Sequence, residues 1–129
     1  MRKFEAKEVT LLKARETVEQ LYIDDIGVIE AFEQELKGST YLSELKTILG
    51  YVQHFADGNS CGSRMKYVKN AHRGGTEYEF ISKHLRLYAF QQPGKKIIIF
   101  IAKKKKADSS DNIRSFQLLK EQFLQSMGV

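Results

Sequence analysis

The amino-acid sequence predicts an α+β domain in which two N-terminal helices and one C-terminal helix pack on one face of a twisted, mainly antiparallel sheet. Three observations carry this expectation. Apolar residues recur at helical spacing in residues 28–37, 42–55 and 113–127, so the helical segments fall in separate blocks. Residues 64–102 instead alternate or run apolar in strand-length pieces rich in Ile, Tyr and Phe. The turn dipeptides Gly74-Gly75 and Pro93-Gly94 punctuate those pieces. A chain of 129 residues with 42% hydrophobic content is long enough to bury its own core, so one domain over residues 1–129 is expected.

Taken in order, residues 1–23 hold one or two strands, the better one over 16–23. Asp24 and Asp25 break the pattern, and either can cap a helix striped by Val28, Ile29, Phe32 and Leu36 and stopped at Gly38. Ser39 or Thr40 can cap a second helix, striped by Leu42, Leu45, Ile48, Leu49, Val52 and Phe55 and ending at Asp57-Gly58. The short link between them implies a helical hairpin. Residues 59–63 read as a loop, 64–70 as a strand, Gly74-Gly75 as a turn, and 76–83 as a further strand.

After a bend at His84, residues 85–91 place Leu85, Leu87 and Ala89 on one face and Arg86, Tyr88 and Phe90 on the other. Beyond Pro93-Gly94, residues 96–102 form the most apolar strand, expected to be central and buried on both faces. A polar linker over 107–111 leads to a terminal helix striped by Ile113, Phe116, Leu119, Phe123, Leu124 and Met127. Lys120 falls inside that stripe, where its charged head is expected to reach past the apolar face to water, and Leu118 falls outside it.

Charge is unevenly distributed. Residues 1–62 carry a formal −4 and residues 63–129 a formal +9. Between Glu79 and Asp108 there is no acidic residue and there are eight Lys or Arg residues. A basic half beside a mildly acidic half suits a polyanion such as nucleic acid, while a solvated lysine-rich surface is the plainer alternative. The single cysteine, Cys61, cannot form an internal disulfide, which points to the reducing cytoplasm. No run approaches the ~18 apolar residues of a membrane span, and the N-terminus has no apolar signal region, so neither membrane insertion nor export is expected.

The candidate site follows from pairing across Pro93-Gly94. A hairpin there sets Arg86 beside Lys103, Lys104, Lys105 and Lys106, with Lys83, His84 and Tyr88 nearby and Lys95 and Lys96 in the same basic stretch. Arginine and lysine can bind phosphate and stabilise the charge that develops as a phosphodiester breaks. Histidine, lysine or tyrosine can move the protons. Each residue also has a plainer structural reading. Arg86 can pair with Glu77 or Glu79 on the surface, Tyr88 and Phe90 can be core, the lysines can be a solvated strand edge, and His84 can be an exposed turn residue. Glu77 and Glu79 are read as surface ion-pair partners rather than as paired catalytic carboxylates. No metal site is expected, because His54, Cys61 and His72 contain no pair at ligand spacing. No nucleotide cofactor is expected either, since there is no glycine-rich loop with a following lysine.

The order of these features resembles the RelE/HigB-like toxins of bacterial toxin–antitoxin systems, in particular the branch related to phage-derived proteins. The resemblance rests on Asp-Ile-Gly-Val-Ile-Glu-Ala-Phe at 25–32, Phe-Ala-Asp-Gly at 55–58 and the basic-aromatic strand at 65–69. It rests further on Glu77-Tyr78-Glu79-Phe80, and on Leu85-Arg86-Leu87-Tyr88 followed across the Pro-Gly turn by 97–101 and the lysines. It implies a RelE/ParE-like fold and an mRNA interferase that cleaves mRNA in the ribosome. It also implies inhibition by a cognate antitoxin, a small helix-turn-helix protein. Carried over by position, Arg86 would meet the scissile phosphate and Lys103 to Lys105 would assist, with Lys83 an addition. Ile101-Ala102 stand where the family often has glycine or phenylalanine, and the terminal helix has no counterpart to the C-terminal tyrosine or histidine of some members. Tyr88 and His84 are the remaining candidates for proton transfer. Two alternatives accompany this reading: a non-catalytic RNA- or protein-binding module of the same fold, and a gyrase-directed toxin, since the superfamily includes both kinds of target.

Overall fold

The computed structural model describes residues 2–68, 75–106 and 110–128. Three strands precede any helix: Phe4–Glu8 (β1), Val18–Ile23 (β2) and the two-residue Ile26–Gly27 (β3). Helices Val28–Leu36 (α1) and Leu42–Ala56 (α2) follow, then one 3₁₀ turn at Gly62–Arg64. Strands Met65–Tyr67 (β4), Thr76–Ile81 (β5), Leu85–Gln91 (β6) and Ile97–Lys104 (β7) come next, and Ser110–Ser126 (α3) closes the described chain.

The strands form one seven-stranded mixed sheet in the order β1-β2-β7-β6-β5-β4, with β3 paired to β2. β2 and β7 run parallel, Val18 opposite Ile97, and the remaining pairings are antiparallel. This corrects the expected architecture. The helices are not all on one face, strands β1 to β3 precede the pair α1–α2, and one pairing of the otherwise antiparallel sheet, β2–β7, is parallel. The physical reason is burial on both sides. Ile29, Phe32, Leu36, Leu45, Ile48 and Val52 pack with Phe80, Leu87, Ala89, Ile97 and Ile99. On the opposite face Phe116, Leu119, Phe123 and Leu124 of α3 pack with Leu21, Tyr88, Phe90 and Phe100. Side chains alternate across β6 and β7, so each strand feeds two cores and each core needs its own helical cover.

Two local expectations also change. Asp24 and Asp25 do not cap α1; with φ of 50° and 69° they make the tight β2–β3 turn. The first turn of α1 is instead held by Gln20 on β2, whose Oε1 accepts the Ile29 N–H at 2.9 Å. The expected strand over 64–70 is shorter, Met65–Tyr67, and residues 69–74, including His72 and Gly74, lie outside the described residues. Gly75 is required by crowding: a Cβ there would stand 2.3 Å from the Phe90 ring.

Lys120, Glu77 and Glu79 are not surface groups. Lys120 and Glu77 are both fully buried and form an ion pair, and Gln117 Nε2 donates to Glu77 Oε1 at 2.9 Å. The Lys120 ammonium also lies 4.5 Å from the centre of the Phe90 ring. Glu79 accepts the Tyr88 hydroxyl at 2.7 Å and faces Lys66 at 3.3 Å. Lys120 facing Glu77 across the β5–α3 interface, and Tyr88 of β6 and Lys66 of β4 facing Glu79, let these charges stay inside, which a single amphipathic stripe does not reveal.

Candidate functional site

The turn between β5 and β6 is organised by one carboxylate. Glu44, in the first turn of α2, accepts the backbone N–H of His84 at 2.7 Å and of Leu85 at 3.0 Å through Oε2. The same oxygen accepts the Ser82 hydroxyl, and Oε1 lies 2.9 Å from His84 Nδ1. Partial burial pushes the Glu44 carboxyl up, but the hydrogen bonds from Ser82 and His84, with the facing imidazole, outweigh it and lower the pKa to about 2. Glu44 is therefore ionised at neutral pH. An ionised acceptor at Nδ1 selects the tautomer with the proton on Nδ1 and leaves Nε2 as the basic nitrogen. The His84 side chain is 41% exposed, so that nitrogen is on an accessible ring. Tyr41 lies against it, with ring centroids 4.7 Å apart, and Lys104 Nζ sits 5.8 Å from the Tyr41 ring centre.

The end of β7 completes the cluster. Leu85 is opposite Lys104, Arg86 is opposite Lys103, and the Lys105 N–H donates to the His84 carbonyl at 2.7 Å. The register is shifted by a bulge. Tyr88 faces Ile101 and Ala89 faces Ile99, so Phe100 is an extra residue in β7. Arg86 Nη1 donates to the carbonyls of Ser82 and Leu85, at 2.5 and 2.7 Å, and so also braces the turn. Lys83, Lys105 and Lys106 are exposed around it.

Not every residue singled out from the sequence belongs here. Tyr88 is fully buried under α3, stacked near Phe116. Burial, the hydrogen bond to Glu79 and that carboxylate's charge hold its hydroxyl well above the usual phenol range. It is a core residue without access to a substrate. Lys95 and Lys96 flank the β6–β7 turn at the opposite end of β7, about 23 Å away at ~3.3 Å per residue. There Lys96 faces Glu19 at 3.7 Å. Conversely, Glu44 and Tyr41 were not singled out as site residues. Glu44 had one signal: it stands four residues before Ile48, on the sheet-facing side of the α2 stripe.

Among the described residues, no group of three His, Cys, Asp or Glu side chains is placed to hold a metal ion. No described helix is long and apolar enough to cross a membrane. What the strand end offers chemically is an oriented, accessible imidazole on the α2 side, with the Lys104 ammonium near its Tyr41 neighbour, and the Arg86 guanidinium on the strand face that carries Tyr88. Compared with protein-family models, curated proteins and solved structures, the chain matches none of them.

Proposed function

We propose that the protein is a cytoplasmic endoribonuclease acting on mRNA at the ribosome, the toxin of a toxin–antitoxin pair of the RelE/HigB-like kind. The single observation that carries the catalytic reading is the Glu44–His84 contact at the strand end where Arg86 stands opposite Lys103. In this mechanism His84 Nε2 takes the proton from a substrate 2′-hydroxyl. The 2′-oxygen attacks the adjacent phosphorus, the bond to the 5′-oxygen breaks, and a lysine ammonium supplies the proton to the departing oxygen. Arg86 and Lys103 stabilise the charge on the non-bridging oxygens. The products are a 2′,3′-cyclic phosphate and a 5′-hydroxyl, and Glu44 keeps the imidazole in the reactive tautomer throughout. The antitoxin remains part of the proposal as the inhibitor of this site.

The test is to incubate purified protein with mRNA on translating ribosomes. Cleavage leaving cyclic phosphate ends is expected, lost in His84→Ala and Arg86→Ala. Intact mRNA with the unaltered protein overturns the nuclease. A second reading, RNA binding without cleavage, is favoured by the Arg86 guanidinium already bracing two carbonyls. It predicts strongly salt-dependent binding to RNA and no cut products.

A further inference from the structure

A second concave surface lies between the loop after β1 and the helices α1 and α2, enclosing about 830 Å³. That volume is in the range of genuine ligand pockets, ~300–1,000 Å³. Its floor is apolar. Val9, Ile29 and Leu45 are buried there, and Leu12, Leu42 and Leu49 are half-buried beside them. At its lip Leu11 is 86% exposed. A lone exposed leucine needs no explanation, but one continuous with an open apolar trough marks a contact surface.

The rim is acidic. Glu8, Glu30 and Glu33 line it against a single Lys46. Gln20 Nε2 holds the Glu30 carboxylate in place, at 3.0 and 3.1 Å from its two oxygens. The occupant therefore presents apolar side chains together with positive charge. The backbone at this wall is already engaged: the Val9 N–H donates to the Val18 carbonyl at 2.8 Å and the Leu12 N–H to the Val9 carbonyl at 3.1 Å. An added strand would find few free groups, whereas a helix needs none and offers apolar anchors along one stripe.

We propose that this cleft docks a basic amphipathic helix of a partner protein, its apolar stripe on the floor and its Lys or Arg residues against Glu8, Glu30 and Glu33. The proposal does not depend on the nuclease. The probe is a stapled peptide of about fifteen residues, built of leucine and lysine with leucines at helical spacing, compared with a leucine–glutamate counterpart. Both are titrated into the isotope-labelled protein and followed by amide chemical shifts. The leucine–lysine peptide is expected to shift Leu11, Leu12, Glu33 and Leu49 and to bind at least about tenfold more tightly than its acidic counterpart. Leu11→Asp and Glu33→Lys, both at exposed positions, are expected to weaken it about tenfold with unchanged melting temperatures. Equal binding of both peptides, unchanged affinity in Leu11→Asp, or shifts along the outer edge of β1 overturn the proposal. Tighter occupation by dodecylamine overturns it in favour of a small cationic amphiphile.

Discussion

Arg86 and Lys103 face each other across β6 and β7 because Phe100 is an extra residue in β7. Without that bulge the register set at Ala89 and Ile99 would bring Ala102 opposite Arg86. The bulge thus places two cations side by side at the strand end, an arrangement that a polyanion would stabilise.

Under the proposed nuclease mechanism, Arg86→Ala and Lys103→Ala are each expected to reduce RNA cleavage about 100-fold. Because the proposed mechanism sets both on one phosphate, the double variant should fall well short of the product of the two effects. Lys95→Ala and Lys96→Ala, at the far end of β7, should change the rate less than about twofold. Single-turnover cleavage of a labelled RNA measures all four.

Glu44→Gln removes an ionised acceptor from four donors and is expected to cost about 1–3 kcal/mol at neutral pH. The sign follows from the depressed carboxyl. Its pKa falls from 4.5 to about 2 on folding, so the contribution is full above 4.5 and is lost as the pH drops toward 2. Melting temperatures from pH 7 downward should show the two proteins converging across that window. A constant gap would assign the loss to packing instead.

Lys120→Met leaves the Glu77 carboxylate buried beside a thioether and should cost about 3–5 kcal/mol in denaturant melts. Adding Glu77→Leu to it should recover most of that loss, since two apolar side chains need no partner. If the double variant is no more stable than Lys120→Met, the ion pair is not what the single change removes.

Gly75→Ala puts a methyl group 2.3 Å from the Phe90 ring and 2.8 Å from the Gln91 carbonyl oxygen. The backbone has to move, at a cost of about 1–3 kcal/mol. Urea unfolding should show a lower midpoint with an unchanged slope.

The hairpin around Pro93-Gly94 was legible because alternation and turn residues are local properties. That is why Arg86 could be set beside the lysines from the residues alone. The parallel β2–β7 pair was not legible, since alternation gives a strand its faces and not its neighbours. Lys95 and Lys96 joined the same basic stretch in one dimension, and the length of β7 separates them in three. Glu77, Glu79 and Lys120 were read as solvated because a charged residue on its own belongs in water, and their partners come from distant elements. Tyr88 shares a strand face with Arg86, but α3 covers it and leaves only the strand end open. Glu44 reaches His84 through tertiary packing, which leaves the faintest local trace of all.

The parallel pairing of Val18 with Ile97 bears on the timing of folding. β2 has only β1 and the tiny β3 beside it until the residues from 97 onward exist, so the sheet cannot be completed by the emerging chain. Contacts this distant in sequence close slowly and late. The strand that brings Lys103 to Arg86 is the one that completes the sheet. A chain still being synthesised therefore lacks the cationic strand end until β7 has left the ribosome, and no product that stops short of β7 carries the assembled site.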